Sequence, residues 1–389
     1  TDAISLSSYS DMTLDNLSTG EIDAEITGAG DMVLKVRKGI LTVTQLTLTD
    51  IQTFNGSIMI EVTGMSVNVV SVQSLTDSDS NDISITVLAN SDSNLELHLL
   101  DAGDTGDVTL NIQGNVTHPD GELAADQLAV LAWEAVGLNT HVNSMTVEIT
   151  GDGGLDVDNS SADLLLEDIQ VTNGSINVLT AGDLTAQNVV ITTDWNISTI
   201  PPQPNIVSLQ TEEGSGGTIT VINISAGTYA ANAAEADQIR LDMLNTLLRE
   251  ISTAGILAGF LTAGTDLNGD PVTYVELTLP EADDLAVIVS NAFAADGALM
   301  TATVAYLMYT RVFDVLGLAW SDTYGAPPEG ETPPAVLSEL IAIFTMSKNF
   351  GSFGEIEIVA DGSIQNQTGT QTGIVNLVAD TLTMEAQGS

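Results

Sequence analysis

Cysteine is absent from the 389 residues, and 7 Lys plus Arg stand against 53 Asp plus Glu, a formal net charge of −46. Each shortage excludes something. Without thiols there is no disulfide scaffold and no thiolate metal site. Without clustered Lys and Arg nothing can neutralise phosphates, which removes nucleic acid as a partner. The one local basic group is Lys35, Arg37 and Lys38. Anionic membrane surfaces are excluded on the same ground. Aromatic residues make up 4% of the chain, which counts against sugar-stacking surfaces. The longest nearly unbroken apolar run, Gly297 to Thr310, is closed by Arg311. It falls short of the roughly 20 residues that a spanning helix needs, so no membrane span is expected.

What is present argues for a folded chain. Hydrophobic residues are 43% and charged residues 15% of the total. Disorder needs low hydrophobicity as well as high net charge, and only the second holds. An apolar core under an almost purely acidic surface suits salt or divalent cations, calcium among them. The opening Thr1-Asp2-Ala3-Ile4 has no initiator Met and no basic or apolar leader, so a mature or partial segment is expected.

Repeats organise the sequence. The stretch Leu46, Leu48, Asp50, Ile51, Gln52, Asn55, Gly56, Ser57, Ile58, Ile60 aligns without a gap on Leu164, Leu166, Asp168, Ile169, Gln170, Asn173, Gly174, Ser175, Ile176, Val178. A shorter unit, Gly-x-aliphatic-x-aliphatic with a second Gly beyond it, recurs from Gly20, Gly56, Gly106, Gly174 and Gly354. Alternating apolar residues are short strands with one face inward. Gly and Asn between them supply corners, with Asn55 and Asn173 as corner residues before Gly. Strand and corner in steady alternation predict a mainly β chain wound as a parallel β-solenoid. A β-sandwich also has short strands and turns, but has no need of repeated corners.

The pattern divides the chain into three parts. Residues 1–227 read as β-solenoid, with a short helical decoration near 122–137, where Leu123, Leu128, Leu131, Trp133 and Val136 take helical spacing. Residues 228–350 are Ala- and Leu-rich and read as an inserted, mostly α-helical domain, broken by Pro327, Pro328, Pro333 and Pro334. Residues 351–389 return to the strand pattern. Neither end carries a polar cap, so the ends are expected to stack on neighbouring copies or to continue into a longer chain.

The strings from Gly354 to Ile364, from Val375 to Leu382 and from Gly174 to Leu184 resemble the repeats of filamentous-haemagglutinin-like bacterial surface proteins. The resemblance implies a right-handed parallel β-helix, exported to the bacterial cell surface or beyond it, acting in adhesion or as a fibre. It covers about two thirds of the chain and leaves out the block at 228–350.

Candidate sites are few. Asp266, Asn268 and Asp270 alternate like the start of a calcium loop, but Pro271 stands where that loop needs Gly. Asp77, Asp79 and Asp82 form a second acidic turn. Further acidic clusters are Asp101, Asp104 and Asp107, and Asp152, Asp156, Asp158 and Asp163. Lys35 and Arg37 share one face of a strand, where a contact with an acidic neighbour is expected. His98, His118 and His141 are scattered and have no nucleophile-elbow context. Glycosylation sequons fall at Asn16, Asn55, Asn115, Asn159, Asn173, Asn196, Asn223 and Asn366. No catalytic residues and no cofactor are expected, calcium apart. The reading is an extracellular structural or adhesive protein that self-associates into a homo-oligomer or filament and meets a cell-surface or polysaccharide ligand. The alternative is a carbohydrate-active β-helix: a lyase, a hydrolase or a tailspike.

Overall fold

The computed structural model describes residues 3–38, 44–88, 93–118, 121–161, 163–193, 195–196, 203–227, 261–262, 264–265, 271–272, 319–320, 354–366, 377–379 and 381–386. The chain divides into two compact units: Thr1–Asn196, Pro204–Thr228 and Phe353–Ser389 form one, and Ile197–Gln203 and Tyr229–Ser352 the other. The first unit holds a 27-stranded sheet. Its strands pair in parallel, as Ala3–Ser8 does with Glu21–Ala29, Met12–Leu17 with Met32–Arg37, and Glu355–Ala360 with Thr381–Ala386. No helix occurs among the described residues.

Apart from Gln203, the second unit's described residues are four two-residue strands in two antiparallel pairs, Leu261–Thr262 with Ala319–Trp320 and Gly264–Thr265 with Pro271–Val272. The helical domain expected over 228–350 otherwise lies outside the described residues, as do Asp266, Asn268 and Asp270.

Parallel strands cannot be joined by tight hairpins. Among the described residues, the segments between ladder partners are largely further strands of the same sheet. Chain segments therefore return to the same ladder again and again, with residues in register. One such column runs Leu14, Leu34, Ile60, Ile85, Leu110, Val130, Val147, Ile169, Val189, Ile224, Leu377. Another runs Leu46, Val67, Leu95, Val116, Val136, Leu155, Ile176, Val207, Ile356, Leu382. Between Leu34 and Ile224, and between Leu46 and Ile356, every member is buried. All belong to one hydrophobic cluster. The alternation that places them there is regular: Ile83–Leu88 alternates buried and half-buried residues without a break. Each buried Ile or Leu contributes about 1.5–3 kcal/mol by leaving water.

Two glycines show why corners recur in the sequence. Gly56 and Gly174 follow Asn55 and Asn173, with φ of 158° and 150°. A Cβ on Gly56 would overlap the carbonyl oxygen of Gly30, and one on Gly174 would overlap the carbonyl of Gly153. Neighbouring turns of backbone touch at these points, and only glycine lets them. Gly106 and Gly354 are equally crowded, against the carbonyl oxygens of Ala102 and Asn205. Gly20 is buried and its carbonyl accepts the Thr47 N–H.

The helical decoration expected near 122–137 is not there. Glu122–Ala132 and Val136–Asp152 are strands, paired in parallel with each other. Leu123, Ala125, Leu128, Val130 and Ala132 point inward, with one irregularity at Asp126 and Gln127. Leu131 and Trp133, placed by helical spacing on one stripe with Leu128, are exposed. Alanine's helix preference amounts to tenths of a kcal/mol per residue. A ladder partner on each side outweighs it.

Candidate functional site

The outward face of one ladder carries a groove of about 560 Å³. Its floor follows from register. Val136, Leu155, Ile176 and Val207 point into the core, so the residues after them point out: Gly137, Asp156, Asn177 and Ser208, aligned across successive strands. Two residues further along run Asn139, Asp158, Leu179 and Gln210. Thr117 and His118 complete one wall. A Cβ on Gly137 would meet nothing within 4 Å. The gap in side chains there opens the groove and is not demanded by packing.

The chemistry of the groove is polar and acidic. Asp156 and Asp158 are both exposed on one face of Leu155–Asn159. Gln210 donates to Ser208 Oγ at 3.0 Å, and Ser208 Oγ donates to Glu357 at 3.5 Å. No Lys or Arg lines it. His118 is buried: its Nε2 lies 3.1 Å from the His98 carbonyl and its Nδ1 accepts the Asn139 N–H at 3.3 Å. That pattern assigns the proton to Nε2 and spends both nitrogens on backbone. His118 is a wall strut, not an acid or base aimed at the groove.

The other two histidines each meet polar neighbours through one ring nitrogen. His98 Nε2 lies 3.5 Å from Glu96. His141 Nδ1 lies 3.0 Å from Ser160 Oγ and 3.8 Å from Glu122, while Ser160 donates to Glu122 at 2.6 Å. Sequence reasoning missed this cluster, because its members come from three different strands or turns. It is not a hydrolytic relay: serine and carboxylate meet the same ring nitrogen, so the imidazole cannot pass a proton from one to the other.

The acidic turns are used by the backbone. Asp77 Oδ1 accepts the Thr105 N–H at 2.9 Å and its hydroxyl at 2.7 Å. Asp82 accepts the Asp107 N–H at 3.2 Å, and Asp31 accepts the Ser57 N–H at 2.9 Å. Asp79 is exposed. Asp101 accepts the Gly103 N–H at 2.9 Å. Each corner carboxylate that bonds the following turn stitches two turns together. Among the described residues no group of three or more His, Asp or Glu is placed to hold a metal ion. Two acids have shifted titration. Burial first, then the charges of Asp82, Asp126 and Asp79, pushes the Asp107 carboxyl up against a Gln127 N–H bond that lowers it. The N–H groups of Gly216 and Gly214 hold Asp361 below the ordinary range. Lys35 meets an acid of its own chain, Glu61, at 3.1 Å.

The sequon asparagines fall into different settings. Asn159 is fully buried: its Oδ1 accepts the Thr140 hydroxyl at 2.9 Å and the Val142 N–H at 3.0 Å. Asn173 is buried and donates to Asp152 at 2.9 Å. Neither has surface on which to carry a glycan. Asn115 donates to Glu134 at 2.6 Å and accepts the Ala135 N–H at 3.0 Å, and Asn223 donates to Asn188 at 2.6 Å. Asn55 is exposed and accepts the Thr76 hydroxyl at 2.9 Å. Asn16, Asn196 and Asn366 lie in strands.

No protein-family model, no curated protein and no solved structure matches the chain.

Proposed function

We propose that the chain is a non-enzymatic structural or adhesive protein of the bacterial cell surface, a β-solenoid whose copies assemble end to end into a fibre. The observation that carries the reading is the pair of unbroken aliphatic columns described above, each sampled once per return of the chain to its ladder. A chain wound in this way is a rod: about ten turns at about 4.8 Å give roughly 50 Å. Backbone ladders and aliphatic stacks bear load along the rod. The acids that stitch the corners keep its flanks soluble and mutually repulsive, with calcium entering as a screening ion. The resemblance of Gly354–Ile364 and Gly174–Leu184 to surface-protein repeats agrees with export and adhesion. Small-angle scattering and electron microscopy of the full chain test the reading. A rod that lengthens with protein concentration is expected, and a compact particle of fixed mass in both high and low salt overturns it.

The groove favours a second reading, a polysaccharide-handling β-helix with Asp156 and Asp158 as its acids. Its test is reducing-sugar release from a panel of acidic polysaccharides. Gly137→Trp, which fills the groove without touching the core, abolishes the release if this reading holds.

A further inference from the structure

We infer that a second copy of this chain adds its strand Ala3–Ser8 beside Thr381–Ala386 of the first, with Ile4 next to Met384 and Leu6 next to Ala386. This rests on the solenoid reading above and specifies its end-to-end contact. The argument is one of register. Among the described residues, Ala3–Ser8 pairs only with Glu21–Ala29, and Thr381–Ala386 only with Glu355–Ala360. Both edges belong to the same ladder. Ile4 aligns with Ile22, Leu48, Val69 and Leu97. At the other end Leu138, Val157, Val178, Leu209 and Ile358 lead to Met384. The two runs are one column, since Leu97 and Leu138 each follow by two residues the paired series Leu95, Val116, Val136. A neighbour that keeps the column therefore sets Ile4 against Met384.

Burial says what the contact would cover. Ile356 and Ile358 are buried, whereas Leu382 and Met384, the next members of their columns, are 46% and 47% exposed. Leu6 and Leu14 are only partly buried. A second column gives the same answer, because Leu14 begins and Leu377 ends one aliphatic series. Among the described residues neither strand has a second partner, and such an edge is a template for a further parallel strand.

Charge permits this register on a surface that forbids most others. The outward residues it sets side by side are Ala3 with Thr383 and Ser5 with Glu385, while Asp15 falls beside Val378. Among these described pairs no carboxylate faces a carboxylate, although acids outnumber bases by 53 to 7 in the chain.

The chain has no cysteine, which makes the test clean. Adjacent parallel strands lie about 4.8 Å apart, within the Cα separation that a disulfide spans. The full chain with Ser5→Cys and Glu385→Cys is oxidised in 1 M NaCl, where the screening length is about 3 Å. A ladder of multimers is expected on non-reducing gels, collapsing to one band with reductant. Ser5→Cys with Thr86→Cys, an outward residue of an interior strand, should give dimers at most. Met384→Asp should keep the chain monomeric in light scattering without disturbing the buried columns. A double-cysteine chain that cross-links no more than the Thr86 pair overturns the stacking. If that chain is still a rod in small-angle scattering, the solenoid reading stands and only the contact is wrong. A particle that is not a rod overturns the solenoid reading itself.

Discussion

Single side chains in this protein act mainly by bonding across turns. Asn159 is the clearest case. Its buried amide accepts from Thr140 and from the Val142 backbone, and reaches Thr180 Oγ1 at 3.5 Å. Asn159→Ala strands a buried N–H and a hydroxyl, and should cost about 2–3 kcal/mol in urea unfolding. Asn159→Asp puts an uncompensated charge in the same place and should cost more. Asp107 works in the opposite direction. Its raised pKa means that the charged form is disfavoured in the folded state, so its penalty is present at neutral pH. The penalty is relieved as pH falls toward the folded pKa. Asp107→Asn should therefore stabilise the protein at pH 7 and lose that advantage in mild acid. Asp361 has the reverse sign: its lowered pKa contributes stability above the ordinary carboxylate pKa, lost as pH falls through the folded value. Thermal melts of the unmodified chain, Asp107→Asn and Asp361→Asn between pH 7 and pH 4 separate the two effects.

At the scale of the strand, one position in two carries the stability. Ile85 sits in the middle of an eleven-member column between Ile60 and Leu110, whereas Thr86 beside it faces outward and is half-buried. Ile85→Ala should destabilise by about 2–5 kcal/mol, because the neighbouring turns cannot collapse into the space. Thr86→Ala should stay within about 0.5 kcal/mol. Urea midpoints check both, with the slope unchanged in each case. The strands that alternate cleanly, such as Ile83–Leu88 and Val108–Ile112, were legible in the sequence for this reason. Glu122–Ala132 was not. Its inward sites hold Ala125 and Ala132, which are small and helix-favouring, and its exposed Leu131 and Trp133 imitate a helical stripe. The groove was hidden for a related reason: Asp156 reads as one of an acidic cluster, Asn177 and Ser208 carry no signal of their own, and the three meet only through register.

For the whole molecule, charge and architecture pull against each other. A net charge of −46 repels itself at low salt. Raising NaCl from about 0.01 M to 1 M shortens the screening length from about 30 Å to 3 Å. The melting temperature should rise over that range, and differential scanning calorimetry would record it. Millimolar calcium should produce a comparable rise. A melting temperature that falls or stays level with salt would mean that self-repulsion does not limit this fold.

The sequence by itself determined the strand period, the corner glycines and the acidic surface, because each depends on residue type and near neighbours. Gly56 and Gly174 announce themselves by their repeated setting, and Ile58 and Ile176 by alternation. Tertiary structure alone decided which turns pair. It made Asn159 and Asn173 buried connectors and not exposed acceptors. It also gave Asp31, Asp77 and Asp82 backbone partners and brought Ile4 and Met384 into a single column. Those outcomes depend on register between segments about twenty residues apart, as in the steps of 21 and 20 residues from Asn94 to Asn115 to Ala135. No local pattern of residues encodes that register. It is fixed only when the columns of aliphatic side chains close on one another.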